Sequence, residues 1–376
     1  MTMTLQLQST VRNNGTLEVS LVNIEVPAPG AEEVIVRIEA APINPSDLGL
    51  LFGPADINAA STTERNGLPL LSAPIPSELQ AGVSARAEQA LPVGNEGAGV
   101  VVEAGASDAA QALLGKTVAL LGGAMYTQYR CAAASNCLVL AEGVSPRDGA
   151  SCFVNPLTAL GMVETMKLEN HSALVHTAAA SNLGQMLNKL CLADDVPLVN
   201  VVRNPAQVEI LHGIGAQYVC NSCDDNFMDT LTDVIAQTNA TIAFDAIAGG
   251  QLASDILSAM ERVAERNSSP SNRYGSTTHK QVYLYGVLDN SPTVLNRSYG
   301  MAWGVGGWLL PNFLARVGIE RGDELRQRVA SEITSTFASH YTQEISLAQA
   351  LQVQTAQRYL RKATSEKYLI NPHKDV

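Results

Sequence analysis

Charge is scarce in this chain of 376 residues, with Asp, Glu, Lys and Arg together making up 16%. A basic excess is lacking as well, since 24 Lys+Arg face 36 Asp+Glu and the net charge is −12. That balance argues against a broad nucleic-acid surface, which neutralises phosphates with Lys and Arg. It still leaves room for a local basic pocket around a phosphorylated small molecule. Cysteine is sparse too. The six thiols are Cys131, Cys137, Cys152, Cys191, Cys220 and Cys223, too few for a disulfide scaffold. Only Cys220 and Cys223 have a C-x-x-C spacing, and no second pair completes a zinc site. They are read as small thiols in a reducing compartment. Long apolar runs are also missing. The most apolar late stretch, 299–315, is broken by four Gly and one Pro. A membrane span needs about 20 predominantly apolar residues. The opening MTMTLQLQST lacks a basic region followed by an apolar run. The expectation is a soluble, cytoplasmic protein with no membrane partner.

What is present is apolar: 46% of residues are hydrophobic, which excludes disorder as the main state. At roughly 100–200 residues per domain the length suggests two domains. The low charge also suggests a buried subunit interface, hence a homodimer. Residues 1–150 read as short strands such as 34–39, 97–103 and 117–121, separated by Gly and Pro turns, the texture of a β-barrel or sandwich. Between 53 and 92 five prolines and little periodicity read as a long loop, either a surface insertion or an active-site lid.

From about 151 the pattern becomes strand–helix alternation. Apolar strands are expected at 173–177, 197–202, 217–220, 241–247 and 281–287. Helices are expected near 205–213, 226–237 and 250–264. Leu183, Met186, Leu187 and Leu190 line one helical face in the first unit. This pattern predicts a parallel, doubly wound sheet. The tail from 320 reads as one long helix, then YLI at 368–370, a candidate strand returning to the first domain.

Two motifs carry chemistry. The first is the turn TAAASNLG (177–184), where a strand feeds a helix. Helix N-termini bind phosphate through free N–H groups and the helix dipole. The full G-x-G-x-x-G fingerprint is missing: Ala179, Ser181 and Gly184 occupy its places. The second is the end of the next strand, VNVVRNPAQ. An NAD site usually carries an acid there for the ribose hydroxyls, whereas an NADP site carries a cation for the 2′-phosphate. Here no acid lies at 200–206, and Arg203 occupies the acid's place. Its planar fork suits a phosphate, so NADP(H) is the expected cofactor.

The segments APINPSDLG (41–49), LPVGNEGAGVVVEAGAS (91–107), FVNPLTALGMVE (153–164), ALVHTAAASNLGQ (173–185), VVRNPAQVEILHGIGAQYV (201–219), FDAIAGG (244–250) and YLYGV (283–287) follow one another in a familiar order. In them the chain resembles the zinc-independent medium-chain dehydrogenase/reductase superfamily, close to quinone oxidoreductases and 2-enoyl thioester reductases. The resemblance implies an α/β protein with a GroES-like β-barrel domain and a Rossmann domain with a doubly wound parallel sheet. The expected domains are 1–152 (catalytic, with the insertion at about 53–92), 153–315 (NADP-binding) and 316–376 (returning to the catalytic domain). The active site is then expected in the cleft between them.

The resemblance also assigns roles. Asn44 and Asp47 match an N-P-x-D turn bordering nicotinamide and substrate, with Asn44 a possible amide donor. Asn155 and Thr158 match the N-P-x-T helix start, with Thr158 facing the nicotinamide ribose or carboxamide. Ala179, Ser181, Asn182, Leu183, Gly184 and Arg203 are expected at the cofactor phosphates. Ala246, Ile247, Tyr285, Gly286 and Val287 are expected as backbone beside the cofactor. Trp308 is expected in the substrate pocket, and His176 as packing.

Zinc alcohol dehydrogenases of the superfamily carry a Cys ligand where this chain has Asn44-Pro45-Ser46. They carry a His where it has Asn95, and a four-cysteine lobe that it lacks between 97 and 130. A catalytic zinc needs three protein ligands, so no metal is expected. Reduction of an activated C=C or a quinone needs no Lewis acid, because hydrogen-bond donors can support the developing oxyanion. The expected activity is hydride transfer from NADPH to a quinone or α,β-unsaturated carbonyl. The tyrosine that thioester reductases carry after the N-P-S-D turn is absent from 48–58. The proton donor is left among Tyr126, Tyr129, Tyr299 and water, with Tyr126 entered among the catalytic candidates. The rivals are an enoyl-thioester reductase with a non-standard donor, a cofactor-binding protein with little turnover, and a metal-dependent alcohol dehydrogenase. The substrate's identity is not legible.

Overall fold

The computed structural model describes residues 2–266, 273–364 and 366–375. The chain divides into two compact units, Met1–Val154 with Arg326–Val376, and Asn155–Leu325.

The first unit opens with a long antiparallel hairpin, β1 (Thr2–Val11) and β2 (Thr16–Val26). Leu17, Val19 and Leu21 alternate along one face of β2 and are buried. β3 (Glu33–Pro42) follows, then the short helix α1 (Pro45–Leu51). Pro45 suits the first helical position because its φ is preset and its missing N–H is not needed there. The 53–92 region is not the structureless loop expected from its prolines. It contains the hairpin β4 (Ser61–Arg65) and β5 (Leu68–Pro74), followed by a 3-10 helix Ser77–Arg86. The turn between the strands is Asn66-Gly67, both with positive φ, +55° and +75°. That backbone matches the right-handed twist of a two-residue hairpin. β5 pairs with β2, and β6 (Leu91–Pro92) pairs with β1, giving the order β4-β5-β2-β1-β6.

β7 (Glu96–Ala104), the short helix α2 (Asp108–Gln111), β8 (Thr117–Leu121), β9 (Tyr129–Ala133), β10 (Leu138–Val139) and the short helix α3 (Pro146–Gly149) complete this stretch. β3 lies at the centre of a second sheet, pairing with both β7 and β9. Leu7, Leu17, Val34, Val36, Ile38, Leu71 and Leu120 form the core between the strands.

The second unit is a parallel α/β layer structure. After α4 (Val154–Leu168) come β11 (Leu174–Thr177), α5 (Asn182–Ala193), β12 (Leu198–Val202), α6 (Pro205–Gly213), β13 (Tyr218–Asn221), α7 (Phe227–Thr238) and β14 (Ile242–Asp245). Then follow β15 (Ala248–Gly250), α8 (Leu252–Arg266), β16 (Lys280–Leu284), β17 (Asp289–Thr293) and β18 (Trp303–Gly307). The main sheet has the order β13-β12-β11-β14-β16-β18, all parallel. β11, β12 and β14 are buried on both faces, as strands covered by helices on either side must be. Strands expected to run to 247 and 287 stop at Asp245 and Leu284, because the chain turns there into the small parallel pair β15–β17. β18 had no counterpart in the sequence reading. Its three glycines give little apolar pattern, and it is an edge strand.

α9 (Leu310–Glu332) is interrupted by Gly318, at φ +82°. β19 (Gln343–Ile345), α10 (Val353–Leu360) and β20 (Tyr368–Ile370) then add to the first unit. β20 pairs antiparallel with β3, opposing Leu369 to Pro42, and parallel with β19. Among the described residues no helix is long and apolar enough to cross a membrane.

Candidate functional site

In a parallel sheet all strands present their C-terminal ends at one edge. Ligands bind where the strand order reverses. Here the reversal falls between β11 and β14. β11 ends at Thr177 and β14 at Asp245, and the Thr177 hydroxyl donates to Asp245 Oδ1 at 2.6 Å. Both side chains are fully buried. Asp245 also accepts the N–H groups of Ile247 (2.9 Å) and Ala248 (3.1 Å), while Thr177 Oγ1 accepts Ala246 N–H at 2.8 Å. One buried carboxylate therefore fixes the turn 245–248, with Ala248 at φ +65°. Ala246 and Ile247 lie beside Tyr285, Gly286 and Val287: Tyr285 N–H reaches Asp245 O, and Leu288 N–H reaches Ala246 O. Val287 is exposed.

The turn after β11 leads straight into α5. Ala178 has φ +51°, and the Ser181 hydroxyl accepts Gly184 N–H at 3.1 Å as N-cap. A Cβ on Gly184 would sit 2.1 Å from the Ala179 carbonyl oxygen. That contact is the close strand–helix approach served by the last glycine of a dinucleotide loop. Ala179, Ser181, Asn182, Leu183 and Gly184 are thus contiguous at one helix start. The first N–H groups of a helix have no intrahelical acceptor, so this turn fits a phosphate.

Arg203 directly follows β12, the strand beside β11. Its N–H donates to Gln207 Oε1, and its exposed guanidinium makes no ion pair among the described residues. Asn155 and Thr158 lie in the first turns of α4, both buried.

His176 is fully buried in β11. Its Nε2 lies 2.7 Å from the Tyr285 hydroxyl, and the two rings stack. Burial pushes the imidazole pKa down to about 3, so the ring is neutral. Trp308, expected in the substrate pocket, is buried. Its indole N–H donates to Thr165 Oγ1 at 3.1 Å, and its ring packs on Phe244 and Phe313. A Cβ on Gly161 would meet it at 2.9 Å.

In the first unit, Asn44 caps α1 with extended backbone (φ −99°, ψ 156°). Asp47 accepts Asn44 N–H through Oδ2 and Asn95 N–H through Oδ1, both at 2.8 Å. Burial pushes its carboxyl up to about 7, and Glu96 adds to the rise, while the two N–H donors oppose it. Asn44 Nδ2 donates to Glu96 Oε1 at 2.7 Å, and Glu96 Oε2 accepts the N–H groups of Phe153 and Val154. Asn44 Oδ1 is buried without a hydrogen-bond partner. The Tyr126 hydroxyl, entered among proton donors, is buried and donates to the Pro42 carbonyl at 3.0 Å. Its ring also fills the space over Gly94, which has φ +96°. These contacts tie Tyr126 to the N-P-x-D turn.

Sequence reasoning missed Thr177, Asp245 and Glu96 as organisers of these turns. An Asp ending the apolar run IAF was the one local signal. The others act through partners distant in sequence. Among the described residues no group of three or more His, Cys, Asp or Glu is placed to hold a metal ion.

No protein-family profile matches the chain. A mitochondrial enoyl-[acyl-carrier-protein] reductase of Caenorhabditis elegans is 25% identical over 250 residues, 64% of this chain. The chain spans 63% of that relative's length. A Mesorhizobium loti structure classed as an NADPH:quinone reductase aligns with a TM-score of 0.72 and 25% identity, over 99% of this chain and 100% of that one. The Escherichia coli quinone oxidoreductase, solved with NADPH, aligns at 0.66 with 16% identity, over 99% of this chain and 100% of that one. Enoyl thioester reductases align over similar lengths. The chain therefore has the GroES-like plus Rossmann fold of the medium-chain dehydrogenase/reductase superfamily, with NADPH:quinone reductases and enoyl thioester reductases as its structural neighbours.

Proposed function

We propose that the protein is an NADPH-dependent reductase that hands hydride to a quinone or an α,β-unsaturated carbonyl. The observation that carries the reading is the dinucleotide turn at the switch point, with Gly184 packed on Ala179 and Arg203 after the adjacent strand. When bound, the nicotinamide supplies hydride from its C4. The remaining work belongs to the chain. The start of α5 receives the pyrophosphate through N–H groups, and the Arg203 fork receives the 2′-phosphate. Thr177 and Asp245 hold the 245–248 backbone, and the neutral His176 holds Tyr285, so both backbone segments keep their shape beside the cofactor. Asn44 borders the substrate. Replacing Arg203 with Asp is expected to weaken NADPH binding at least tenfold and NADH binding far less. Equal losses for both would remove the 2′-phosphate assignment.

A second acceptor class is favoured by the curated relative, an enoyl-[acyl-carrier-protein] reductase. Turnover of an enoyl thioester faster than of a simple quinone would select it. The homodimer and the cytoplasmic location remain part of this proposal, tested by sedimentation and by fractionation.

A further inference from the structure

The N-P-x-D turn is held by carboxylates that are themselves buried. Asp47 is 2% exposed and Glu96 is 0% exposed. Both bind Asn44, Asp47 through its backbone N–H and Glu96 through its side-chain amide. A carboxylate that is ionised there needs donors or a nearby cation, since an unpaired buried charge is strongly unfavourable. In this unit the cation arrives from the far end of the sequence. Lys367, just before β20, donates from Nζ to Ser151 Oγ at 3.1 Å and to Ser339 Oγ at 3.4 Å. Ser151 is fully buried, lies 2.7 Å from the Tyr341 hydroxyl, and is two residues from Phe153, whose N–H binds Glu96. Burial pushes the Glu96 carboxyl up, and Lys367 is the largest influence opposing that rise, followed by the N–H donors of Val154 and Phe153 and the Asn44 amide. The other titratable groups around it are Asp47, Tyr126, Cys152 and Tyr341.

An ionised Glu96 can only accept hydrogen bonds. It therefore requires the Asn44 amide to turn its NH2 toward Glu96, which leaves Oδ1 on the capping side, toward the Asp47 N–H, as a buried acceptor without a hydrogen bond of good geometry. If Glu96 takes a proton, its new O–H donates to Asn44, and the amide turns over to present NH2 instead. The charge state of Glu96 thus decides whether Asn44 offers an acceptor or a donor.

We propose that Lys367 is a positioning residue: by balancing Glu96 it fixes the orientation of the Asn44 amide, and with it the hydrogen-bond sign offered to the substrate. The substrate clause rests on the reading above that Asn44 borders the substrate. The charge-balance clause does not.

Three variants test it: Lys367→Met, Lys367→Arg, and Lys367→Met combined with Glu96→Gln. Thermal unfolding across pH 4–8 reads the charge balance without any turnover. Burial pushes the Lys367 ammonium down to about 8, so it is charged below that pH. Lys367→Met is expected to unfold well below the parent near pH 7, with the gap closing toward pH 4 as the carboxylates take up protons. A gap independent of pH would overturn the proposal. With Glu96→Gln added, the stability should return. Activity should not, because the Gln oxygen stays with the Phe153 and Val154 N–H groups and its NH2 must face Asn44. That turns the Asn44 amide over, so kcat with NADPH and a quinone or enoyl thioester should stay at least tenfold low, with a smaller change in KM. Lys367→Arg keeps the charge and should recover most of both properties. Full recovery of kcat in the double variant would show that Lys367 only stabilises, and would overturn the amide assignment. If Lys367→Met does not fold, the double variant carries the test alone. Asn44→Ala with unchanged kcat would instead remove the underlying reading of Asn44, while the pH-dependent stability gap would stand.

Discussion

Two buried ionisable residues set opposite pH dependences within this molecule. His176 titrates near 3 when folded, below its ordinary value of about 6.5. Between those pH values the unfolded chain binds more protons, so acidification destabilises the native state. Asp47 is the reverse. Its folded value of about 7 lies above the ordinary carboxylate range near ~4, so the folded state binds more protons in that window, and stability falls as pH rises through it. His176→Phe removes the acid-sensitive group, and we expect its unfolding temperature to change less than the parent's between pH 6.5 and 4. Asp47→Asn loses an acceptor for one of two backbone N–H groups, a cost of about 1–3 kcal/mol. It also removes the neutral-pH penalty, so the deficit should be largest near pH 4 and shrink toward pH 8. A scanning-fluorimetry series over pH checks both, and parallel curves for the two variants would contradict the assignments. None of this was legible from the residues singly. His176 was readable as packing because it sits within an apolar strand. The values follow from burial and from partners up to 109 positions away.

At the scale of elements, legibility followed burial. Strands covered on both faces, such as Leu174–Thr177 and Leu198–Val202, announce themselves as short apolar runs. The hairpin Ser61–Pro74 did not, because β4 is exposed along its whole length and β5 carries two prolines. The Asn66-Gly67 signal was there, outweighed by the prolines around it. Its positive φ values make the turn a clean test. Gly67→Ala places a Cβ at φ +75° and is expected to cost roughly 1–2 kcal/mol of stability by denaturant titration. Gly184→Ala differs in kind, because its Cβ would meet the Ala179 carbonyl at 2.1 Å rather than open space. That change should distort the phosphate turn and weaken NADPH binding more than Gly67→Ala does. Equal NADPH affinity in the two variants, measured by fluorescence titration, would argue against a phosphate at that helix start.

At the scale of the whole molecule, the first unit is discontinuous in sequence, since β20 completes the sheet beside β3 and Lys367 enters just before it. Family-ordered motifs made the two-part architecture legible, including YLI as a returning strand. They said nothing of the buried Lys367 that this return brings beside Ser151. On the proposed reading, a chain of net charge −12 holds a polyanionic cofactor locally, through a helix start and one arginine. Cofactor titration tests that claim most directly. Quenching or energy-transfer fluorescence with NADPH and NADH on the unmodified protein should show NADPH bound at least tenfold more tightly. NADH bound equally well or better would contradict it.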